Sequence, residues 1–387
     1  MRTRMLLRYG TNPHQQPATA EFLDPARPPL RVLSGEPSYV NMLDALTGWA
    51  LVREAAAVCG TPVAASMKHV SPAGVALAGR VDEVAAETFG LDAAAVGPLT
   101  SAYVRARDAD PRASFGDMIA VSEPVDAELA DLVRRLTSDG IIAPGYAPGT
   151  VETLAAKKDG RFLVLEADPS VAPPQREVRE IGGVRLEQPR DVEPLTAELL
   201  TRSAPALAPR AVTDLLLGLV AMRHTESNAV AYLRDGMALG IGAGQQSRID
   251  CTRLAGTKAD NWWLRRHPAV RSMTFVEGLS ATERTNWRLR VVEGDLDLRE
   301  TGLLSAATRG FTLFTARERT SWIGRLDEVA FVSDGAIPFR DNVDQAARHG
   351  VRHLAEPGGS TRSPDVAAAC REHRITRVRD VPRLFRH

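Results

Sequence analysis

At 387 residues the chain is long enough for one large or two medium domains, each with a sizeable core. Apolar residues make up 44% and charged residues 25%, ordinary values for a soluble globular protein. The 48 basic residues balance 48 acidic ones. That balance excludes a non-specific nucleic-acid binder, which needs a basic excess to displace counterions, but it leaves room for a local basic pocket. No stretch approaches the roughly 18 apolar residues of a membrane helix, and the apolar run near the N-terminus is too short for a signal peptide. Cys59, Cys251 and Cys370 are scattered without a CxxC pair, which fits neither a disulfide framework nor a zinc site. A cytoplasmic protein is expected.

In chain order, Asn41 to Cys59 has apolar residues at helical spacing, and Pro62 to Met67 reads as a short buried strand. Asp117–Val121 is a strand, Val125–Thr137 a helix, Gly140–Ala143 a strand, Thr150–Lys158 a helix and Arg161–Leu165 a strand. From Asp168 to Pro209 the texture turns rich in proline and charge, as in a connector on the surface. Alternation resumes with a helix at Ala211–Met222, strands near Ala229–Tyr232 and Ala238–Ile241, and a helix after Ser247. A strand at Glu328–Val332, a helix at Asn342–His349, a strand at Val351–Leu354 and a helix at Ser363–Glu372 complete it. The pattern predicts an α/β fold of two lobes, residues 1–167 and 210–387, joined by 168–209.

Two motifs fail on inspection. Gly240-Ile241-Gly242-Ala243-Gly244 follows a strand, but Gln245 stands where the dinucleotide fingerprint needs its last glycine. His224-Thr225-Glu226 lacks the P-C-x-x-C that would hold zinc in a deaminase.

The chemistry-bearing segment is Ser66-Met67-Lys68-His69-Val70-Ser71-Pro72-Ala73-Gly74. It puts a Lys-His pair at a strand end, where ligands bind in open α/β sheets, and its Ser-Pro-Ala-Gly is expected to form a turn or helix start. A neutral imidazole can accept a proton near pH 7, and a neighbouring ammonium disfavours a second positive charge. The competing reading is a lysine snorkelling beside a packed histidine. Lysine itself is rare here: only Lys68, Lys157, Lys158 and Lys258 occur, and all other basic residues are arginine. Coding bias explains most of this, yet each lysine can give up a proton where arginine cannot. Lys157 and Lys158, in AAKKDGRF, read as solvated turn residues.

Around this segment stand Leu7-Arg8-Tyr9-Gly10-Thr11-Asn12-Pro13-His14-Gln15, Ser114-Phe115-Gly116-Asp117, Ser138-Asp139-Gly140, Glu226-Ser227-Asn228 and Gly242-Ala243-Gly244-Gln245-Gln246-Ser247-Arg248. Together they resemble the motif set of the aminoimidazole carboxamide ribonucleotide (AICAR) transformylases, in order and spacing, from Arg8 to the terminal Arg386-His387. The resemblance implies a duplicated cytidine-deaminase-like α/β/α scaffold without catalytic zinc, working as a homodimer with its sites at the interface. It implies 10-formyltetrahydrofolate as cosubstrate and leaves open a monovalent cation such as potassium. By the same resemblance Lys68, His69 and Asn41 are catalytic. Arg8, Tyr9, Gly116, Asp139, Asn228, Arg248 and Arg383 surround the nucleotide, the last two near its phosphate or carboxamide. Pro338, Asp341 and Asn342 meet the folate, although Asp341 and Asn342 could equally cap a helix.

Two departures stand out. Met1 lies almost on the LRYG motif, so the cyclohydrolase domain usually fused upstream is expected to be absent. The family run S-D-A-F-F-P-F-R-D-N reads here Ser333-Asp334-Gly335-Ala336-Ile337-Pro338-Phe339-Arg340-Asp341-Asn342. An unfilled Phe-to-Ala void in a packed site costs roughly 3–5 kcal/mol, so either a neighbour fills the space or the pocket is altered. An AICAR transformylase is therefore the leading expectation. A formyltransferase for a different, AICAR-like acceptor is the alternative, and a non-catalytic nucleotide-binding relative is a third reading.

Overall fold

The computed structural model describes residues 4–387; the first three residues of the expected first lobe lie outside the described residues. β1 (Arg4–Leu7) and β2 (Ala18–Glu21) form a hairpin, followed by β3 (Leu30–Ser34) and α1 (Tyr39–Cys59). α1 starts in a capping box, Ser38 Oγ accepting the Asn41 N–H and Asn41 Oδ1 the Ser38 N–H, and stops at Gly60 with φ 68°. Then come β4 (Val63–Lys68), β5 (Ser71–Leu77), α2 (Glu83–Phe89), α3 (Pro98–Ala109), β6 (Asp117–Val121), α4 (Ala127–Arg135), β7 (Ser138–Ala143), α5 (Thr150–Ala155) and β8 (Leu163–Ala167). The connector carries an exposed hairpin, β9 (Arg176–Ile181) and β10 (Val184–Pro189), and α6 (Ala197–Ser203).

The second half opens with α7 (Pro209–Arg223), β11 (Val230–Arg234), β12 (Met237–Gly242) and α8 (Arg248–Leu264). An insertion follows: α9 (Pro268–Arg271), β13 (Thr274–Phe275), α10 (Ala281–Glu293), α11 (Leu298–Ala307), β14 (Thr308–Gly310) and α12 (Ala316–Ile323), with a small core of its own around Leu289, Val292 and Leu304. β15 (Val329–Ser333), α13 (Asp341–Ala347), β16 (Val351–Ala355), α14 (Ser363–Glu372) and β17 (Thr376–Val378) close the chain.

Eleven strands form one sheet in the order β17-β16-β15-β11-β12-β5-β4-β6-β7-β8-β3. Its centre is the antiparallel contact of β12 with β5, Met237 opposite Ala76. Outward on either side the series is the same, a hairpin partner, an antiparallel third strand, then two parallel strands, and β3 adds one antiparallel strand beyond β8. One apolar layer covers both halves of a sheet face with α1 and α7, and the opposite face is covered by α3, α4, α8, α13 and α14. This mixed α/β architecture in three layers is the expected class. Among the described residues no helix is long and apolar enough to cross a membrane.

The duplication reaches single residues. Gly48 and Gly218 are each the tenth residue of their helix, and a Cβ there would press on the sheet, within 2.7 Å of Met67 Cγ and 2.6 Å of Val332 Cγ2 respectively. Gly74 and Gly240 are each the fourth residue of their strand, and a Cβ there would fall on the carbonyl oxygen of Ala106 or Ala255. At both crossings the nearest atom is a backbone carbonyl oxygen, which cannot yield cheaply. Gly74→Ala and Gly240→Ala are each expected to lower unfolding free energy by about 3 kcal/mol or more. Urea denaturation of either variant with an unchanged midpoint would contradict this close packing.

One local expectation fails. Ser71-Pro72-Ala73-Gly74 is neither a turn nor a helix start but the opening of β5. The turn is just His69 and Val70, at φ 53° and 67°, so the chain pairs back at once with Lys68 opposite Ser71. Pro72 is tolerated because the register shifts beside it, between Ser66 and Met67.

Candidate active site

Strand direction gathers the motifs. β4 and β12 are both antiparallel to β5 and so point the same way. The His69–Val70 turn, the starts of β6 and β7, the end of β12, the start of β11 and the end of β15 therefore share one sheet edge. The N-terminus of α1 reaches that edge as well, since Asp44 Oδ1 accepts the Val70 N–H at 2.5 Å.

On the first half of this edge Lys68 Nζ donates to the carbonyls of Phe115 (3.0 Å) and Gly116 (2.8 Å). Gly116 has φ 72°, a conformation that favours glycine, and a Cβ there would lie 3.3 Å from Lys68 Nζ and 3.8 Å from the Asp139 carboxylate. Lys68, Gly116 and Asp139 are thus neighbours, and Asp139 also pairs with Lys158 at 2.6 Å. His69 is exposed on its turn. Asn41 spends its Oδ1 on the helix cap; its Nδ2 makes no hydrogen bond among the described residues. Arg8 and Tyr9 run alongside the start of α1, through Arg8 N–H to Pro37 O and Tyr39 N–H to Tyr9 O, both 3.0 Å. The Arg8 guanidinium lies 4.8 Å from the Tyr9 ring centre. Beside them Gly10, Thr11, Gln15, Gln16 and Tyr39 help to line an open groove of about 490 Å³.

Under Lys68 lies a network that sequence reading missed. Asp117 is fully buried and takes Arg107 Nη1 (2.6 Å), Ser66 Oγ (2.7 Å) and Tyr103 OH (3.2 Å). Burial raises its carboxyl above the usual range, against the pull of Arg107. Asp44 was missed too. Burial raises it, while the Val70 amide and the charges of His69 and Lys68 pull it down. Its only sequence signal is an acidic residue three positions after Asn41, on the same helix face.

Lys157 is a correction. It is not a solvated turn residue but half-buried, its Nζ 2.6 Å from Ser138 Oγ and 4.3 Å from the Phe162 ring centre. Burial, then the charge of Lys158, pushes it down to about 7. Folded protein sheds this proton near pH 7, whereas the unfolded chain keeps it to about 10.5, so across that window the unfolded state binds more protons and stability rises with pH. Lys157→Met is expected to flatten this rise. Urea midpoints measured at about pH 6.5 and about pH 9 should diverge between wild type and variant, and parallel pH slopes would reject it.

On the second half of the edge Arg248 is buried against Asp334, with Nη1 2.9 Å from Ser333 Oγ and Nη2 2.5 Å from Asn228 Oδ1. Asn228 Nδ2 donates to the carbonyls of Gln245 (2.8 Å) and Gln246 (3.1 Å). This pair therefore ties β11, β12 and β15 together at their ends. Arg383 is exposed and stacks on Phe385 at 4.9 Å, while Arg386 Nη2 reaches Thr47 Oγ1 of α1 at 3.0 Å, joining the two halves of the edge. Neither Asp341 nor Asn342 is the helix cap: Arg340 holds that position without a side-chain bond. Asn342 is buried instead, its Oδ1 accepting from Thr252 Oγ1 at 2.9 Å. Ile337 is 1% exposed, packed in the core with its N–H on Glu356 Oε2 (3.1 Å); Ala336 and Pro338 are half-buried. The Phe385 ring lies against Gly335, where a Cβ would clash with it. Among the described residues no three His, Cys, Asp or Glu side chains cluster to hold a metal.

Residues 1–258 match the family model of the AICARFT/IMPCHase bienzyme. The chain is similar to the bifunctional purine biosynthesis protein PurH of Roseobacter denitrificans, 32% identical over 98% of its length. The PurH proteins of Magnetococcus marinus and Cereibacter sphaeroides are each 31% identical over 98% of it. The chain spans 59% of the length of these relatives. Similarity therefore runs through both halves of the sheet and across the edge where the motifs meet, and on that ground the chain belongs to the AICARFT/IMPCHase bienzyme family.

Proposed function

We propose that the chain transfers the formyl group of 10-formyltetrahydrofolate to the 5-amino group of AICAR, giving formyl-AICAR, as a step of purine biosynthesis. The observation that supports this reading is the meeting of Lys68, Gly116 and Asp139 at the strand end that leads into the turn of the exposed His69. The acceptor amine is conjugated with its imidazole and carboxamide and is a weak nucleophile. His69 takes its proton as nitrogen bonds to the formyl carbon. Lys68 and the Nδ2 of Asn41 stabilise the oxyanion, and Lys68 protonates the departing folate nitrogen. Tetrahydrofolate leaves. Holding two large substrates in register supplies most of the remaining acceleration.

Arg8, Tyr9, Gly116, Asp139, Asn228 and Arg383 are read as the nucleotide's surroundings, with buried Arg248 setting the Asn228 loop rather than offering a free guanidinium. Pro338, Asp341 and Asn342 are read as the folate side, with Ala336 and Ile337 shaping its wall. The two sheet halves are read as cytidine-deaminase-like lobes, residues 1–167 and 210–387 about the 168–209 connector, in a cytoplasmic homodimer accompanied by a monovalent cation such as potassium.

The test is formyl transfer to AICAR followed by tetrahydrofolate release. His69→Ala is expected to lose about 10²–10⁴-fold in rate with its fold intact. Folded wild-type protein without transfer would overturn the assignment.

A further inference from the structure

The chain contains one structural device twice, and the copies differ where it matters. In the second half Asp235 and Gly236 join β11 to β12 with φ 57° and 70°. Asp214, the sixth residue of α7, accepts the Gly236 N–H on Oδ1 (2.5 Å) and the Asp235 N–H on Oδ2 (3.1 Å). In the first half His69 and Val70 join β4 to β5 with φ 53° and 67°. Asp44, the sixth residue of α1, accepts the Val70 N–H on Oδ1 (2.5 Å). Both hairpins shift register at the same place, between the third and second residues before the turn.

Two-residue turns with both φ positive favour Asp-Gly, which the second copy has. His-Val is a poor choice, since a β-branched side chain at positive φ is a true outlier. The backbone path is the same in both copies, so the path alone does not demand this sequence. What distinguishes the first copy is the pair it presents, Lys68 and the exposed His69. Strain of this kind persists only where the surroundings over-determine it, and it collects at functional sites. Asp44, 6% exposed, is the side chain that grips the strained turn.

The geometry points to Asp44 as a positioning residue for His69: its carboxylate locks the Val70 amide and so holds the turn that presents the imidazole. This rests on the reading of His69 as the proton acceptor. Asp214 does the same work for a turn on the opposite sheet edge that carries no proton-handling pair, and serves as an internal control.

The experiment compares four proteins in formyl transfer, with kcat and KM read separately and fold checked by unfolding. Asp44→Ala combined with Val70→Gly removes the clamp but also the strain, so that the variant folds. Its kcat is expected to fall about 10²-fold with KM changed less than about threefold, because the base is no longer held in place. Asp44→Asn keeps an Oδ1 acceptor for the Val70 amide and is expected to stay within about threefold of wild type in kcat. Asp214→Ala should lose stability without loss of kcat. A folded double variant with wild-type kcat would overturn the positioning role, and so would an Asp44→Asn protein as slow as the double variant, since charge would then matter rather than grip. Inactivity of wild type itself would strike the functional reading first, before any variant is compared.

Discussion

Lys68→Met is expected to lower the rate of formyl transfer by about 10²–10⁴-fold while costing at most about 1–2 kcal/mol of stability. The ammonium has three N–H donors, and two are spent on the carbonyls of Phe115 and Gly116. In the proposed mechanism the third serves the reacting centre, and the two carbonyls fix its direction. Methionine fills the space without any donor. Its partner carbonyls lie near the surface and can turn to water, so the fold survives. Lys68→Arg separates charge from proton transfer, because a guanidinium keeps its proton. It is expected to be nearly as slow as the methionine variant. Single-turnover transfer isolates the chemical step from tetrahydrofolate release. Lys68→Arg within tenfold of wild type would rule out proton donation, and Lys68→Met at that level would remove Lys68 from the mechanism altogether.

Arg107→Met should produce the largest loss of stability, about 3–5 kcal/mol, since it strands the buried Asp117 without its counter-charge. The sign of its pH dependence follows. Asp117 is already raised above its ordinary value of 3.8 by burial, so between that value and its folded pKa the folded state binds more protons and stability falls as pH rises. Loss of Arg107 raises Asp117 further and widens the window. The defect should therefore be smaller at about pH 5 than at about pH 8. Adding Asp117→Asn to Arg107→Met removes the stranded charge and should recover part of the loss. Thermal unfolding of the single and double variants at both pH values measures this, and a pH-independent defect would show that packing, not charge, is what Arg107 supplies.

Where apolar periodicity was clean the sequence was readable. α1, α7, α14 and strands β6, β7, β15 and β16 lie within a few residues of expectation. α3 was not seen at all. Its buried faces include Arg105, Arg107 and Asp108, held by Leu77 O, Asp117 and the Arg265–Arg266 pair, so the charges that break its pattern are satisfied only by distant partners. The insertion between α8 and β15 was also missed, although Ser280…Glu283, Asp297…Glu300 and Thr315…Glu318 are capping boxes legible in the chain.

What the sequence determined by itself is the alternation of elements, the charged connector and the motif residues Arg8, Tyr9, Lys68, His69, Gly116 and Asp139, because local periodicity and specific short runs are properties of neighbours along the chain. Only the tertiary structure decided that both halves share one sheet, that its strand directions bring these motifs to one edge, that Lys157 is half-buried, and that Asp44 clamps the His69 turn. Each of these depends on groups far apart in sequence, whose burial and hydrogen bonding exist only once the chain has closed on itself.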